Sequence, residues 1–118
     1  MGRFIAGDVV VVPFPFSDLS ISKRRPAVVT ANLAFDDYWL SQITTKNPIA
    51  GGIPISQQDF TEGNLPHPSF IRPERIFVAN DQIVLYKIGR LHRNVFLQVA
   101  ERLAAIIEDS TKNNTTNP

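Results

Sequence analysis

Asp8-Val9-Val10-Val11-Val12-Pro13-Phe14 is the stretch on which the fold turns. Four β-branched residues in a row, closed by a proline, predict a short buried strand. Pro13 and Pro15 have no N–H to give to a ladder, so the far end of this strand lies at an edge or leaves the sheet. Working outward, segments of the same kind recur. Ser17 to Lys23 is a polar connection rich in turn formers, and Pro26 to Asn32, with Ala27-Val28-Val29, is a second strand. Asp36-Asp37 marks a turn into a third strand, Tyr38 to Thr45. Gly51-Gly52 breaks the chain ahead of a short edge strand, Ile53-Pro54-Ile55. Asp59 to Pro68 has no periodicity and contains Gly63, Pro66 and Pro68, which predicts a loop. Ser69 to Val78 is extended again, interrupted at Pro73, and Asn80-Asp81 turns into a last strand from Gln82 to Ile88.

After Gly89 the period changes from two to 3.6. Val95, Phe96, Val99, Leu103, Ile106 and Ile107 form one apolar stripe at helical spacing, with Arg93, Asn94, Gln98, Glu101, Arg102 and Glu108 on the other side. This predicts a helix over residues 92–108. Ser110 to Pro118 holds no apolar residue and is expected to be a disordered polar tail. Five or six short strands followed by one C-terminal helix predict a mainly β fold, a small, strongly bent barrel with the helix packed on it. Residues 1–109 then form a single domain.

The chain has 118 residues, of which 43% are hydrophobic, enough for one core. Domains of this size often gain stability by forming oligomers. Lys and Arg number 12 against 11 Asp and Glu, so the formal net charge is +1. Any anion site must therefore be a local cluster rather than a global field. There are no cysteines, which excludes disulfides, thiolate metal sites and cysteine nucleophiles. His67 and His92 stand apart without metal-ligand spacing, and there is no Gly-rich phosphate loop or Gly-x-Ser-x-Gly elbow. No metal or other cofactor is expected. No signal-like segment precedes Asp8 and no apolar run approaches the ~20 residues of a membrane helix. A cytoplasmic protein with no membrane partner is expected.

Three segments hold residues suited to chemistry. In Lys23-Arg24-Arg25-Pro26, three consecutive cations make a local anion site, and Pro26 holds Arg25 extended. A guanidinium clamps a phosphate with two hydrogen bonds and stays protonated. Read alone, the run is more readily a solvated basic turn. In Ile43-Thr44-Thr45-Lys46 the two threonines point to opposite faces, and one hydroxyl is placed to donate to a phosphate. Read alone, both are ordinary strand threonines. In Ser69-Phe70-Ile71-Arg72-Pro73-Glu74-Arg75, alternation sets Arg72 and Glu74 on one face, as an acid/base pair or as a surface ion pair.

Together these segments resemble the MazF/PemK toxins. Gly7 to Leu19 and Lys23 to Val29 look like the opening of that family. Ile43 to Lys46 resembles its third-strand motif, Ser69 to Phe77 its later active-site strand, and Lys87-Ile88-Gly89-Arg90-Leu91 the junction before its helix. The similarity runs over roughly residues 5–108. It implies an SH3-like barrel, a homodimer, sequence-specific cleavage of single-stranded RNA, and a cognate antitoxin that wraps the dimer. It also implies that Arg25 and Thr44 are catalytic, with Glu74 a candidate general base in an Arg-x-acid pair that only some members have. Ser17, Lys23, Arg24, Thr45, Lys46, Ser69 and Arg72 are expected to contact the RNA. Metal-independent cleavage uses the substrate's own 2′-hydroxyl, so the protein supplies a base, charge stabilisation and an acid. Two other functions compete. One is a gyrase-poisoning toxin of the CcdB type, which acts through an apolar C-terminal tail unlike Asn114-Thr115-Thr116-Asn117-Pro118. The other is a non-catalytic SH3-like barrel that binds nucleic acid.

Overall fold

The computed structural model describes residues 2–14, 23–49 and 51–112. Seven strands are present: β1 Asp8–Phe14, β2 Lys23–Asn32, β3 Asp37–Thr44, β4 Ile53–Ile55, β5 Phe60–Gly63, β6 Ser69–Asn80 and β7 Tyr86–Leu91. One helix follows, α1 Arg93–Lys112. The strands form one sheet in the order β4-β6-β3-β2-β1-β7-β5, and every neighbouring pair is antiparallel.

The two edge strands, β4 and β5, are consecutive in the chain and joined by a single 3-10 turn at Gln57–Asp59. Ile53 and Ile55 from one edge and Phe60 from the other enter the same buried cluster as Val9, Val28, Ile43 and Ile71. The sheet therefore curls until its edges share a core, giving a half-barrel. Val95 and Val99 of α1 pack on that core. Closing the curl needs a close approach of β5 to β7. A Cβ at Gly89 would stand 2.8 Å from both the Phe60 ring and the Glu62 carbonyl oxygen, so only glycine fits there. Breaks in ladder register bend the strands. The largest bend in β6 lies between Arg72, opposite Gln42, and Ile76, opposite Ser41. Buried Pro73, which has no N–H, fits this irregularity, and Ser41 Oγ donates to its carbonyl at 3.1 Å.

The outer face of the sheet is also covered. Phe4, Val10, Val12, Ala27, Val29, Tyr38, Leu40, Ala79 and Val84 make a second buried cluster. Strands buried on both faces read as continuous apolar runs, which accounts for Val9 to Val12. Asp8 is 1% exposed and binds Arg90 Nε at 2.8 Å and Lys87 Nζ at 3.5 Å. Glu62 joins the same two cations, tying β1, β7 and β5 together.

The N-terminal segment is clamped to the outer face by Tyr38. Its hydroxyl donates to Asp81 Oδ1 and accepts from the Phe4 N–H at 3.2 Å. Arg3 donates to Asp81 from its backbone and from Nε, at 3.1 and 2.9 Å. Burial, reinforced by Asp81, pushes the Tyr38 phenol up to about 12. The Tyr38 hydrogen bond, helped by Arg3, holds the Asp81 carboxyl below its ordinary value. Each shift makes folding depend on pH. Tyr38 contributes fully below about pH 10, and that contribution is lost as pH rises through its folded value near 12. Asp81 contributes above its unfolded value of 3.8, and that contribution is lost as pH falls through its lowered folded value. Tyr38→Phe is expected to cost about 1 kcal/mol near neutrality and to flatten the alkaline limb. Urea midpoints measured from pH 3 to pH 11.5 check both effects, and an unchanged alkaline limb would contradict the clamp.

Three expectations from the sequence need correction. Residues 59–68 are not all loop, because Phe60–Gly63 forms β5 against β7. The last strand begins at Tyr86 rather than Gln82, because Val84 turns inward to plug the outer cluster and the Leu85 N–H bonds to the Val11 carbonyl. The helix starts at Arg93 and continues past Glu108 to Lys112. Ser110 and Thr111 donate their hydroxyls to the carbonyls of Ile106 and Glu108, so Ser110 to Lys112 is helical rather than tail. The rest of that segment, residues 113–118, lies outside the described residues. Among the described residues, no helix is long and apolar enough to cross a membrane.

Candidate nucleic-acid interface

The cationic run opens β2, and the ladder fixes where its side chains go. Arg25 pairs with Val12, and Arg24 with Pro13. The β2–β3 ladder begins only at Ala27, opposite Gln42, just after Pro26, which has no N–H to give. Continued outward by two residues, that register sets Arg25 across from Thr44, where β2 and β3 part. On the far side of β3, Gln42 pairs with Arg72 and Thr44 with Phe70.

Strand alternation then sorts the candidates onto two faces. Val28, Ile43 and Ile71 point to the core beneath α1. Their neighbours in sequence point the other way, so Arg25, Gln42, Thr44, Phe70 and Arg72 share the outer face. Arg25, Thr44 and Arg72 are all half-buried, which limits their rotamers while leaving each a solvent-facing end. Thr44 Oγ1 accepts from the Lys46 N–H at 3.2 Å. With that lone pair engaged, the hydroxyl hydrogen is directed elsewhere and remains available to a substrate oxygen. Arg72 Nε donates to Glu74 Oε2 at 3.1 Å. Glu74 stands in the bent part of β6, outside the ladder with β3.

Charge is distributed unevenly among the cations. Arg3, Arg72, Lys87 and Arg90 each have a carboxylate partner. Among the described residues, no ion pair engages Lys23, Arg24 or Arg25. Three cations at one strand end, without an ion pair among the described residues and close to the Thr44 hydroxyl, are chemically suited to a phosphodiester. No group of three or more His, Asp or Glu side chains that would hold a metal is found among the described residues.

The remaining candidates are placed differently. Lys23 and Lys46 are exposed near the same sheet end. Arg24, Thr45 and Ser69 face the opposite side, where all three line one cavity. Ser69 is 4% exposed, and its Oγ donates to the His67 carbonyl at 2.8 Å. Its hydroxyl therefore holds the loop before β6. Ser17 lies outside the described residues. Gln42 and Phe70 share the outer face with Arg25 and were not singled out from sequence. Their placement follows from pairing partners distant in sequence, so no local signal marked them.

Residues 5–107 match the model of the PemK-like, MazF-like toxins of type II toxin-antitoxin systems. The chain belongs to that family. Among solved structures, an endoribonuclease in complex with its cognate antitoxin from Mycobacterial species aligns with a TM-score of 0.68 at 12% identity, covering 92% of this chain and 96% of that one. MazE-MazF from Deinococcus radiodurans aligns with a TM-score of 0.64 at 14% identity, covering 89% and 96%. At these identities the two structures establish the fold. No curated protein sequence matches the chain.

Proposed function

We propose that this toxin is an endoribonuclease that cuts single-stranded RNA at preferred sequences without a metal ion. The observation that carries the reading is that Arg25, Thr44 and Arg72 lie on one face at the sheet end where β2 and β3 part, with no ion pair on Arg25 among the described residues. Arg25 holds the scissile phosphate with its guanidinium, and Thr44 donates to a non-bridging oxygen. The RNA 2′-oxygen attacks phosphorus and loses its proton to Glu74. The bond from phosphorus to the 5′-oxygen breaks, and that oxygen takes a proton from water, while Glu74 later returns its proton to solvent. The products are a 2′,3′-cyclic phosphate and a 5′-hydroxyl. Arg72, bonded to Glu74 at 3.1 Å, orients the carboxylate and adds positive charge beside the phosphorane.

Family membership supports two partners, a second copy of the chain and a cognate antitoxin. One solved relative is itself an endoribonuclease in complex with its antitoxin. The protein would act in the cytoplasm, where its RNA is. Purified protein is expected to cleave a single-stranded RNA pool at recurring sequences, leaving cyclic phosphate ends, with undiminished rate in EDTA. Loss of activity in EDTA would replace this mechanism with a metal-dependent one. Intact RNA together with inhibited DNA gyrase would replace it with a gyrase poison.

A further inference from the structure

Behind the Arg25–Thr44 patch, on the opposite face of the same sheet end, lies a cavity of about 300 Å³. Arg24, Thr45, Asn64, His67 and Tyr86 line it over an apolar base that includes Leu65. Two of these residues are the immediate sequence neighbours of the patch. Arg24 and Arg25 are adjacent strand residues on opposite faces, and Thr45, just past the end of β3, lines the cavity with Arg24, so Arg24–Arg25 and Thr44–Thr45 each straddle the rim where β2 and β3 part. A polynucleotide with one phosphate on Arg25 and Thr44 therefore meets Arg24 and Thr45 as it crosses that rim. We infer that the cavity receives the unpaired base of the nucleotide flanking the scissile phosphate, and that it sets the sequence preference of cleavage. This rests on the ribonuclease reading above.

The chemistry of the walls fits a base. Its volume is at the small end of ligand pockets (~300–1,000 Å³), which suits one base and excludes a duplex. Tyr86 is 46% exposed and offers a ring for stacking, the usual way that splayed RNA bases are held. Asn64 presents both a donor and an acceptor, as recognition of a base edge requires. Arg24 has no ion pair among the described residues, so its guanidinium is available to a base plane or a neighbouring phosphate. The wall is built before RNA arrives. Ser69 Oγ binds the His67 carbonyl at 2.8 Å, the Asn64 N–H binds the Ile88 carbonyl at 3.3 Å, and Pro66 and Pro68 stiffen the loop between.

The test uses the full-length protein and a randomised single-stranded RNA pool, with cut ends sequenced for wild type, Asn64→Ala, Tyr86→Ala and Tyr86→Phe. Loss of stacking in Tyr86→Ala is expected to lower kcat/KM on the preferred sequence by about 10- to 100-fold and to relax the preference at a single position beside the cut. Asn64→Ala is expected to relax the same position, and Tyr86→Phe to keep the wild-type preference. Both residues are exposed, and circular dichroism confirms that the variants are folded. If wild type cleaves and the alanine variants keep its sequence preference, the cavity is not the base site and the ribonuclease reading stands. If folded wild type cleaves no RNA, both fall.

Discussion

Arg25→Ala is expected to slow RNA cleavage by about 10²–10³-fold, the loss typical of removing one preorganised transition-state contact. The fold should persist. Arg25 makes no ion pair among the described residues, so its removal strands no described carboxylate, and stability should shift by less than about 1 kcal/mol. Arg25→Lys separates two contributions. It keeps the charge but loses the planar fork that grips two phosphate oxygens, so it should fall between wild type and alanine. Initial rates on a labelled oligoribonucleotide, alongside thermal melts, decide the matter. Wild-type rates in a folded Arg25→Ala protein would remove Arg25 from the mechanism.

Ile71→Ala is expected to have the largest effect on stability. Ile71 is fully buried in β6, with Ile43 of β3 opposite on one side and Ile53 of β4 on the other. These three isoleucines form one row across the curled sheet, joining an edge strand to its centre. Truncation removes buried surface and leaves a cavity that neighbours on a closed sheet cannot fill, costing about 2–5 kcal/mol. Against a typical domain stability of about 5–15 kcal/mol, that is a large share. Urea denaturation should show a lower midpoint with an unchanged slope. A midpoint within error of wild type would mean that the row is not packed as described.

Some of this architecture was legible in the sequence. The Val9 to Val12 run, the Ile53-Pro54-Ile55 edge and the amphipathic stripe of α1 each carry their own local signal, and each forms the predicted element. Strand β5 was not legible. Of Phe60-Thr61-Glu62-Gly63, only Phe60 is buried, and what makes the segment a strand is β7, far along the chain. Ile83, Val84 and Leu85 misled in the opposite sense, since an apolar run reads as strand whether it joins a ladder or plugs a face. At the site, residue types and motif order drew attention to Arg25, Thr44 and Arg72. That they share a face follows from the register of β2, β3 and β6, which no short window contains. The burial of Ser69 depends on its hydrogen bond to the His67 carbonyl, a loop closure invisible to periodicity.

The alternation of side chains along β2 has a consequence for how the protein tolerates change. A one-residue insertion or deletion ahead of Pro26 would exchange the faces of every residue before it. In most strands such an exchange would put an apolar side chain where a functional one stood. Here Lys23, Arg24 and Arg25 are all cations, so a slip in either direction still leaves a positive charge on each face. The run is thus redundant against a one-residue slip at Pro26, because a neighbouring cation takes the face that Arg25 leaves.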